Sequence, residues 1–208
     1  MPYKDADATL ARLAEGFERF RSTWFEADRA VYDELVWQGQ TPRVLVVGCS
    51  DSRADPQLIT GARPGEIFTI RNVAALVPPY RPESVLAGVS SALEFGVKGL
   101  EVAHIVVMGH AMCGGIRSLM EHGDDDPRFE FVSRWVAQLR PAREEVEAMI
   151  GESDPASRAR HAERAKYAVV EGERGFGVIV ADGDIAEHVS LPRIGRSVAR
   201  DCERFKNI

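Results

Sequence analysis

The sequence predicts an α/β fold, a parallel β-sheet core flanked by helices, preceded by an N-terminal helical arm. Three observations predict it. Short apolar runs at 43–48, 66–71 and 104–109, each bounded by Gly, Pro or charge, read as buried strands. Between the last two, Val85, Val89, Ala92, Leu93 and Gly96 mark one face of a helix over 84–98. Strand and helix patterns that alternate in this way imply parallel pairing through right-handed crossovers.

In chain order, the arm comes first, over 1–38. Leu10, Leu13, Phe17, Phe20 and Trp24 recur at spacings of three and four, which draws one apolar stripe along a helix. Such a stripe either packs on its own domain or clasps a partner subunit, since contiguous apolar surface marks an interface. The first strand runs through Val44-Leu45-Val46-Val47-Gly48, and after the third strand a helical region spans 131–150, with Trp135, Leu139, Val146 and Ile150 as core contacts. Residues 151–164 are polar and charged, fitting a solvated loop or helix face. The run 176–181 is strand-like, Asp182-Gly183 offers a hairpin turn into 185–191, and the mixed-charge stretch from Arg193 suits a short helix. No internal repeat stands out, and the whole of 1–208 reads as a single domain.

Composition narrows the class. The 208 residues can bury a large core. A formal charge of -6 argues against nucleic acid or an anionic membrane as partner. No stretch approaches the ~20 apolar residues that span a bilayer, and no secretory pattern opens the chain. Three cysteines, Cys49, Cys113 and Cys202, are too few and too odd for a disulfide framework. They suit a cytoplasmic protein that uses thiols for metal or catalysis.

The chemistry gathers at two strand ends. Cys49-Ser50-Asp51-Ser52-Arg53 follows the first strand, and His110-Ala111-Met112-Cys113-Gly114-Gly115 follows the third. Ligands of parallel sheets bind beyond the carboxyl ends of strands. Taken alone, either cysteine is equally a small buried hydrophobe. Two thiolates and an imidazole together make a zinc set with one corner open, the mark of a catalytic site. Ile116, Leu119 and Met120 suggest a helix starting just after Cys113, whose N-terminus favours a thiolate. Asp51 either completes the tetrahedron and shuts the site, or pairs with Arg53 and serves beside the metal; the second role is favoured. A water on such a zinc can ionise near pH ~7, and the hydroxide wants a small electrophilic carbon.

Other signals are weaker. His104, His122, His161 and His188 are each more simply exposed or hydrogen-bonded than catalytic. Gly123-Asp124-Asp125-Asp126 lacks the alternating ligands of a calcium loop and reads as a solvated turn. Gly172, Gly175 and Gly177 do not make a dinucleotide fingerprint. A thiol phosphatase built on Cys49 and Arg53 would leave Cys113 and His110 without a role.

These residues resemble the β-class carbonic anhydrases. The resemblance runs roughly from Phe17 to Arg143. It includes Gly39-Gln40-Thr41-Pro42, Cys49 to Arg53, Arg71-Asn72-Val73-Ala74, Val77-Pro78-Pro79-Tyr80, Ser91-Ala92-Leu93-Glu94-Phe95 and Gly109 to Gly115. It implies a parallel core of about four strands extended by an edge strand, in a homodimer or tetramer of dimers. It also implies Zn2+ held by Cys49, His110 and Cys113, with Asp51 and Arg53 as the catalytic dyad. Gln40, from a neighbouring subunit, Phe68, Val73 and Gly114 fall at substrate-binding positions, Phe68 and Val73 lining an apolar carbon dioxide pocket. The implied reaction is the reversible hydration of carbon dioxide to bicarbonate and a proton through zinc-bound hydroxide. Hydrolysis of carbonyl sulfide or carbon disulfide on the same scaffold, or zinc binding without catalysis, are the alternatives. Phe95 stands where some relatives carry tyrosine, and Val46 where a bicarbonate-inhibited subgroup carries tryptophan. The departure is 165–208, which lacks the helix and strand motifs usual in relatives.

Overall fold

A computed structural model of the chain describes residues 5–83, 87–110, 112–150 and 176–181. They belong to two compact units, Met1–Gln40 and Thr41–Ile208.

The first unit is helical. Helix α1, Ala6–Arg19, runs into a π-helical turn, Phe20–Phe25, and α2 follows at Arg29–Gln38. Asp5 starts α1: its Oδ1 accepts hydrogen bonds from the Asp7 and Ala8 amides, both at 3.0 Å, satisfying two donors that an open helix end leaves over. Aromatic contacts tie the two helices. The Phe20 ring lies 5.9 Å from Tyr32, edge-on, and Phe25 lies 5.0 Å from Tyr32. The rest of the stripe stays in solvent, Trp24 at 72% exposure and Trp37 on α2 at 85%.

The second unit is built on a sheet of order β2-β1-β3-β4 among the described residues. Strands β1 (Val44–Cys49), β2 (Ile67–Asn72) and β3 (His104–His110) are parallel, with Val44 opposite both Ile67 and His104. Because β1 is central, its side chains meet core on both faces, so it reads as an unbroken apolar run rather than an alternating one. Leu45 and Val47 are wholly buried.

The strand-like run 176–181 is strand β4 (Phe176–Ala181). It is antiparallel to β3, with Ile105 opposite Ala181 and His110 opposite Phe176. Strand–helix alternation dictates parallel pairing only where a helical crossover returns the chain to the same end of the sheet. An antiparallel partner pairs the open side of β3 equally well. The described sheet is therefore three parallel strands and one antiparallel strand. The turn at Asp182-Gly183, the run 185–191, the helix from Arg193, the stretch 151–164 and most of the atypical segment 165–208 lie outside the described residues.

Helices α3 (Pro56–Thr60), α4 (Gly88–Glu94), α5 (Gly114–His122), α6 (Phe131–Val136) and α7 (Arg140–Ile150) complete the unit. Helix α4 continues through a π-helical turn, Phe95–Gly99, so the helix expected to reach residue 98 does so with a wider last turn. Gly96 permits the close approach to β1: a Cβ there would sit 2.4 Å from Leu45 Cδ1. The helix expected across 131–150 is broken by a 3₁₀ turn, Ala137–Leu139. Pro141 explains the break, because it lacks the N–H that a continuous helix would need there and is tolerated only in a first turn.

The acidic run before α6 is more than a solvated turn. Asp126 is buried; its Oδ2 accepts from Ser118 Oγ and Arg128 Nη2, both at 2.6 Å, and its Oδ1 from Arg128 Nε at 2.9 Å. Its amide donates to Ser133 Oγ at 3.2 Å, so this one residue, through its carboxylate and its amide, ties α5 to α6. The Arg128 guanidinium holds the Asp126 carboxyl well below the usual carboxylate range. A depressed pKa contributes stability that is present above the unfolded value of ~3.9 and is lost as pH falls below it. Asp126→Asn is therefore expected to lower the urea midpoint at pH ~7, with the gap to the parent closing toward pH ~3. Equal gaps at both pH values would show that the ionised carboxylate does not support the fold.

Candidate metal centre

Cys49 is the last residue of β1, His110 the last of β3, and Cys113 stands immediately before α5. Neighbouring parallel strands thus bring two ligands to one sheet edge, and the turn after β3 brings the third. All three are buried, and their ligand atoms lie within 4.8 Å of one another. Among the described residues this is the only such group of His, Cys, Asp and Glu. The Sγ atoms of Cys49 and Cys113 are 3.9 Å apart. Two sulfurs each ~2.3 Å from a tetrahedral zinc stand ~3.8 Å apart, so the donor set fits zinc in both chemistry and spacing. Cys49 is held well below the usual thiol range, chiefly by its hydrogen bond with Cys113. His110 and the backbone N–H groups of Asp51 and Ala74 act in the same direction, and burial opposes them.

Asp51 is committed to Arg53. Its Oδ1 accepts from Arg53 Nε at 2.9 Å and from the Arg53 amide at 2.9 Å, and its Oδ2 accepts from Arg53 Nη2 at 2.8 Å. The loop after β1 permits this i, i+2 fork, which a regular helix would not. Arg53 keeps the Asp51 carboxyl far below the carboxylate range, and His110 adds to the effect. Arg53 Nη2 also donates to the Met112 carbonyl at 3.3 Å, across to the loop that carries Cys113.

Strand β2 supplies no ligand, yet it grips the ligand loop. Arg71 Nε donates to the Cys49 carbonyl at 3.0 Å, Nη2 to the Asp51 carbonyl at 2.8 Å, and Nη1 to Asp55 Oδ2 at 2.6 Å. Beyond β2, Ala74 and Ala75 take left-handed φ values of 72° and 48°, a conformation that costs alanine ~1–2 kcal/mol. Asn72 clips the turn by donating to the Leu76 carbonyl at 2.9 Å and accepting from its amide at 2.7 Å. Trp135 Nε1 holds the Val73 carbonyl at 2.8 Å. A Cβ on Gly115 would fall 2.7 Å from Val73 Cγ1, so only glycine lets α5 start against this turn.

The sequence signature of the carbonic anhydrase family matches residues 44–172, more than half of the chain and the whole of this centre. The chain belongs to the carbonic anhydrase family. A chloroplastic β carbonic anhydrase of Arabidopsis thaliana is 37% identical over 153 residues, 74% of this chain and 50% of its own length. The solved structure of the β-carbonic anhydrase CcaA superposes with a TM-score of 0.69 at 32% identity, covering 74% of each chain. A tetrameric β-carbonic anhydrase of Sordaria macrospora gives a TM-score of 0.61 at 26% identity, covering 76% of this chain and 78% of the other. These relatives put the chain in the β class. The chain spans about half the length of the curated relatives it matches.

Within this member of the family, the remaining expected site residues divide. Val73 stands beside the ligands, against the first turn of α5. Gly114, the exposed first residue of α5, leaves open space next to Cys113, since a Cβ there would meet nothing within 4 Å. Phe68 is elsewhere in the chain. It pairs with Leu45, four register positions before Cys49, roughly 13 Å along the strand, and its ring lies 5.9 Å from that of Phe95. Gln40 is exposed at the end of the first unit. Arg71 and Asp55 went unassigned in the sequence because nothing local marks them, and Trp135 reads there only as a core contact. Arg71 acts from a separate strand, and only the Arg71-Asn72-Val73-Ala74 motif hinted at it.

Proposed function

We propose that the chain is a zinc carbonic anhydrase that converts carbon dioxide and water reversibly to bicarbonate and a proton. The observation that carries the reading is the convergence of Cys49, His110 and Cys113 at zinc spacing, with Asp51 engaged by Arg53 rather than by the ligand set. Three protein ligands then leave the fourth corner for solvent and substrate.

A zinc ion held there supplies a Lewis acid that lowers the pKa of water toward ~7 and so makes hydroxide available at neutral pH. The protein's part is orientation. Cys49 and Cys113 contribute two negative charges, and the N-terminus of α5 favours that charge at Cys113. Asp51, kept ionised by Arg53, is an acceptor only. It takes a hydrogen bond from the attacking oxygen and aims the lone pair at carbon, while Arg53 keeps the carboxylate in place. Val73 gives the apolar wall for an uncharged linear substrate. Gln40 of a second copy donates to a substrate oxygen.

A homodimer or tetramer of dimers follows from that last role and from the solvent-exposed stripe of the first unit. The Sordaria neighbour, tetrameric by description, supports the proposal. We take 1–208 as one domain carrying an N-terminal arm. A cytoplasmic site fits the sparse cysteines, although the Arabidopsis relative is chloroplastic by name. No helix among the described residues is long and apolar enough to cross a membrane. The named relatives are carbonic anhydrases, which does not favour the sulfur-substrate alternative.

Stopped-flow hydration of carbon dioxide by the zinc-loaded protein, on both sides of neutral pH, tests the reading. Fast turnover that rises with pH is expected. No turnover at any pH with zinc fully bound would overturn it in favour of a non-catalytic zinc protein.

A further inference from the structure

We propose that Arg71 is a positioning residue, and that Asp55 aims it: the guanidinium sets the angle at which the loop after β1 presents both Cys49 and the Asp51–Arg53 pair. The inference rests on the carbonic anhydrase reading for its kinetic consequence, and on geometry alone for the rest.

The last main-chain link between the loop and the sheet is the Ser50 amide to the Asn72 carbonyl, at 3.0 Å. Past that point the loop needs other partners for its backbone groups. Arg71 supplies two, sharing the Asp51 carbonyl with the Ala54 amide at 3.0 Å. Its Nε and Nη2 take the carbonyls of Cys49 and Asp51, so the peptide planes that directly follow these two residues are held by one planar group. Those planes decide where the Cys49 and Asp51 side chains point.

Arg53 does not duplicate this. Its fork locks it to Asp51, two residues away in the same loop, and that locks the pair to itself rather than to the metal ligands. Arg53 Nη2 also donates to the Met112 carbonyl, at the longer distance of 3.3 Å. Arg71 acts on a different part of the loop, its main-chain carbonyls, and so adds a hold on the pair that the fork does not supply.

Asp55 completes the device with both of its oxygens. Oδ2 takes Arg71 Nη1 at 2.6 Å, while Oδ1 caps α3 by accepting from the Gln57 and Leu58 amides at 3.0 and 3.2 Å. A helix end thus anchors the carboxylate, the carboxylate anchors the guanidinium, and the guanidinium anchors the loop. A lysine cannot replace it. A single ammonium on a flexible stem lacks the rigid fork that serves three acceptors in fixed directions.

The test uses the full chain in zinc and cobalt forms, as parent, Arg71→Lys, Asp55→Asn and the double variant. Visible absorption of the cobalt form reads ligand geometry, competition with a chelator reads metal retention, and kcat and KM are measured separately. For Arg71→Lys we expect an altered cobalt spectrum, and about 10- to 100-fold losses in metal retention and kcat with KM little changed. Asp55→Asn, which keeps an oxygen for the α3 cap, should move the same readouts less and add nothing to Arg71→Lys.

A parental cobalt spectrum and metal retention in folded Arg71→Lys would overturn the proposal, even if its melting temperature fell. Should Arg71→Lys not fold, Asp55→Asn decides by the same readouts. If the parent itself fails to hydrate carbon dioxide, the functional reading falls, while spectrum and metal retention still judge Arg71.

Discussion

Cys49→Ser is expected to abolish stoichiometric zinc binding and carbon dioxide hydration together, and His110→Ala to do the same. The serine hydroxyl does not ionise at neutral pH, so the substitution removes both a ligand and a negative charge from a set of three. The structure sharpens the expectation. The two sulfurs already stand at the spacing that tetrahedral zinc requires, and each ligand is buried. The loss should exceed the ~10- to 100-fold that removing a neighbouring, non-ligating group costs. Zinc content by atomic absorption and stopped-flow turnover check it. Full zinc occupancy with normal turnover in Cys49→Ser would sink the assignment.

The second large effect separates binding from turnover. Asp51→Ala should keep zinc, because the carboxylate is spent on Arg53 and not on the ligand set, yet lose about 10- to 100-fold in kcat. It also strips Arg53 of its fork. An unchanged rate would remove Asp51 from the mechanism. Loss of zinc would instead make it a ligand, which is the closed-site alternative that the sequence left open.

Much of the centre was legible because its signals are local. A thiol at the end of an apolar run, and an imidazole and thiol at the end of another, identify chemistry without a coordinate. The two runs are parallel neighbours because the strand–helix pattern between them permits little else. Val73 was legible only as part of a family motif; its packing against Gly115 is a matter of ångströms between β2 and α5. Phe68 too was legible only through a motif; within one chain it pairs with Leu45, four register positions before Cys49. Asp126 was not legible. An acidic run looks solvated by composition, and its burial depends on Ser118, Arg128 and Ser133 closing round it.

The sequence by itself determined the strand positions, the candidate Cys–His–Cys donor set and the family, since each depends on residue type and short-range order along the chain. Tertiary structure alone decided that Asp51 belongs to Arg53, that β4 runs antiparallel to β3, and that Arg71 reaches from β2 to hold the loop bearing Cys49. The physical reason is the same in each case. A hydrogen bond acts over about 3 Å and is blind to sequence separation, so its partners are known only once the chain has brought them together.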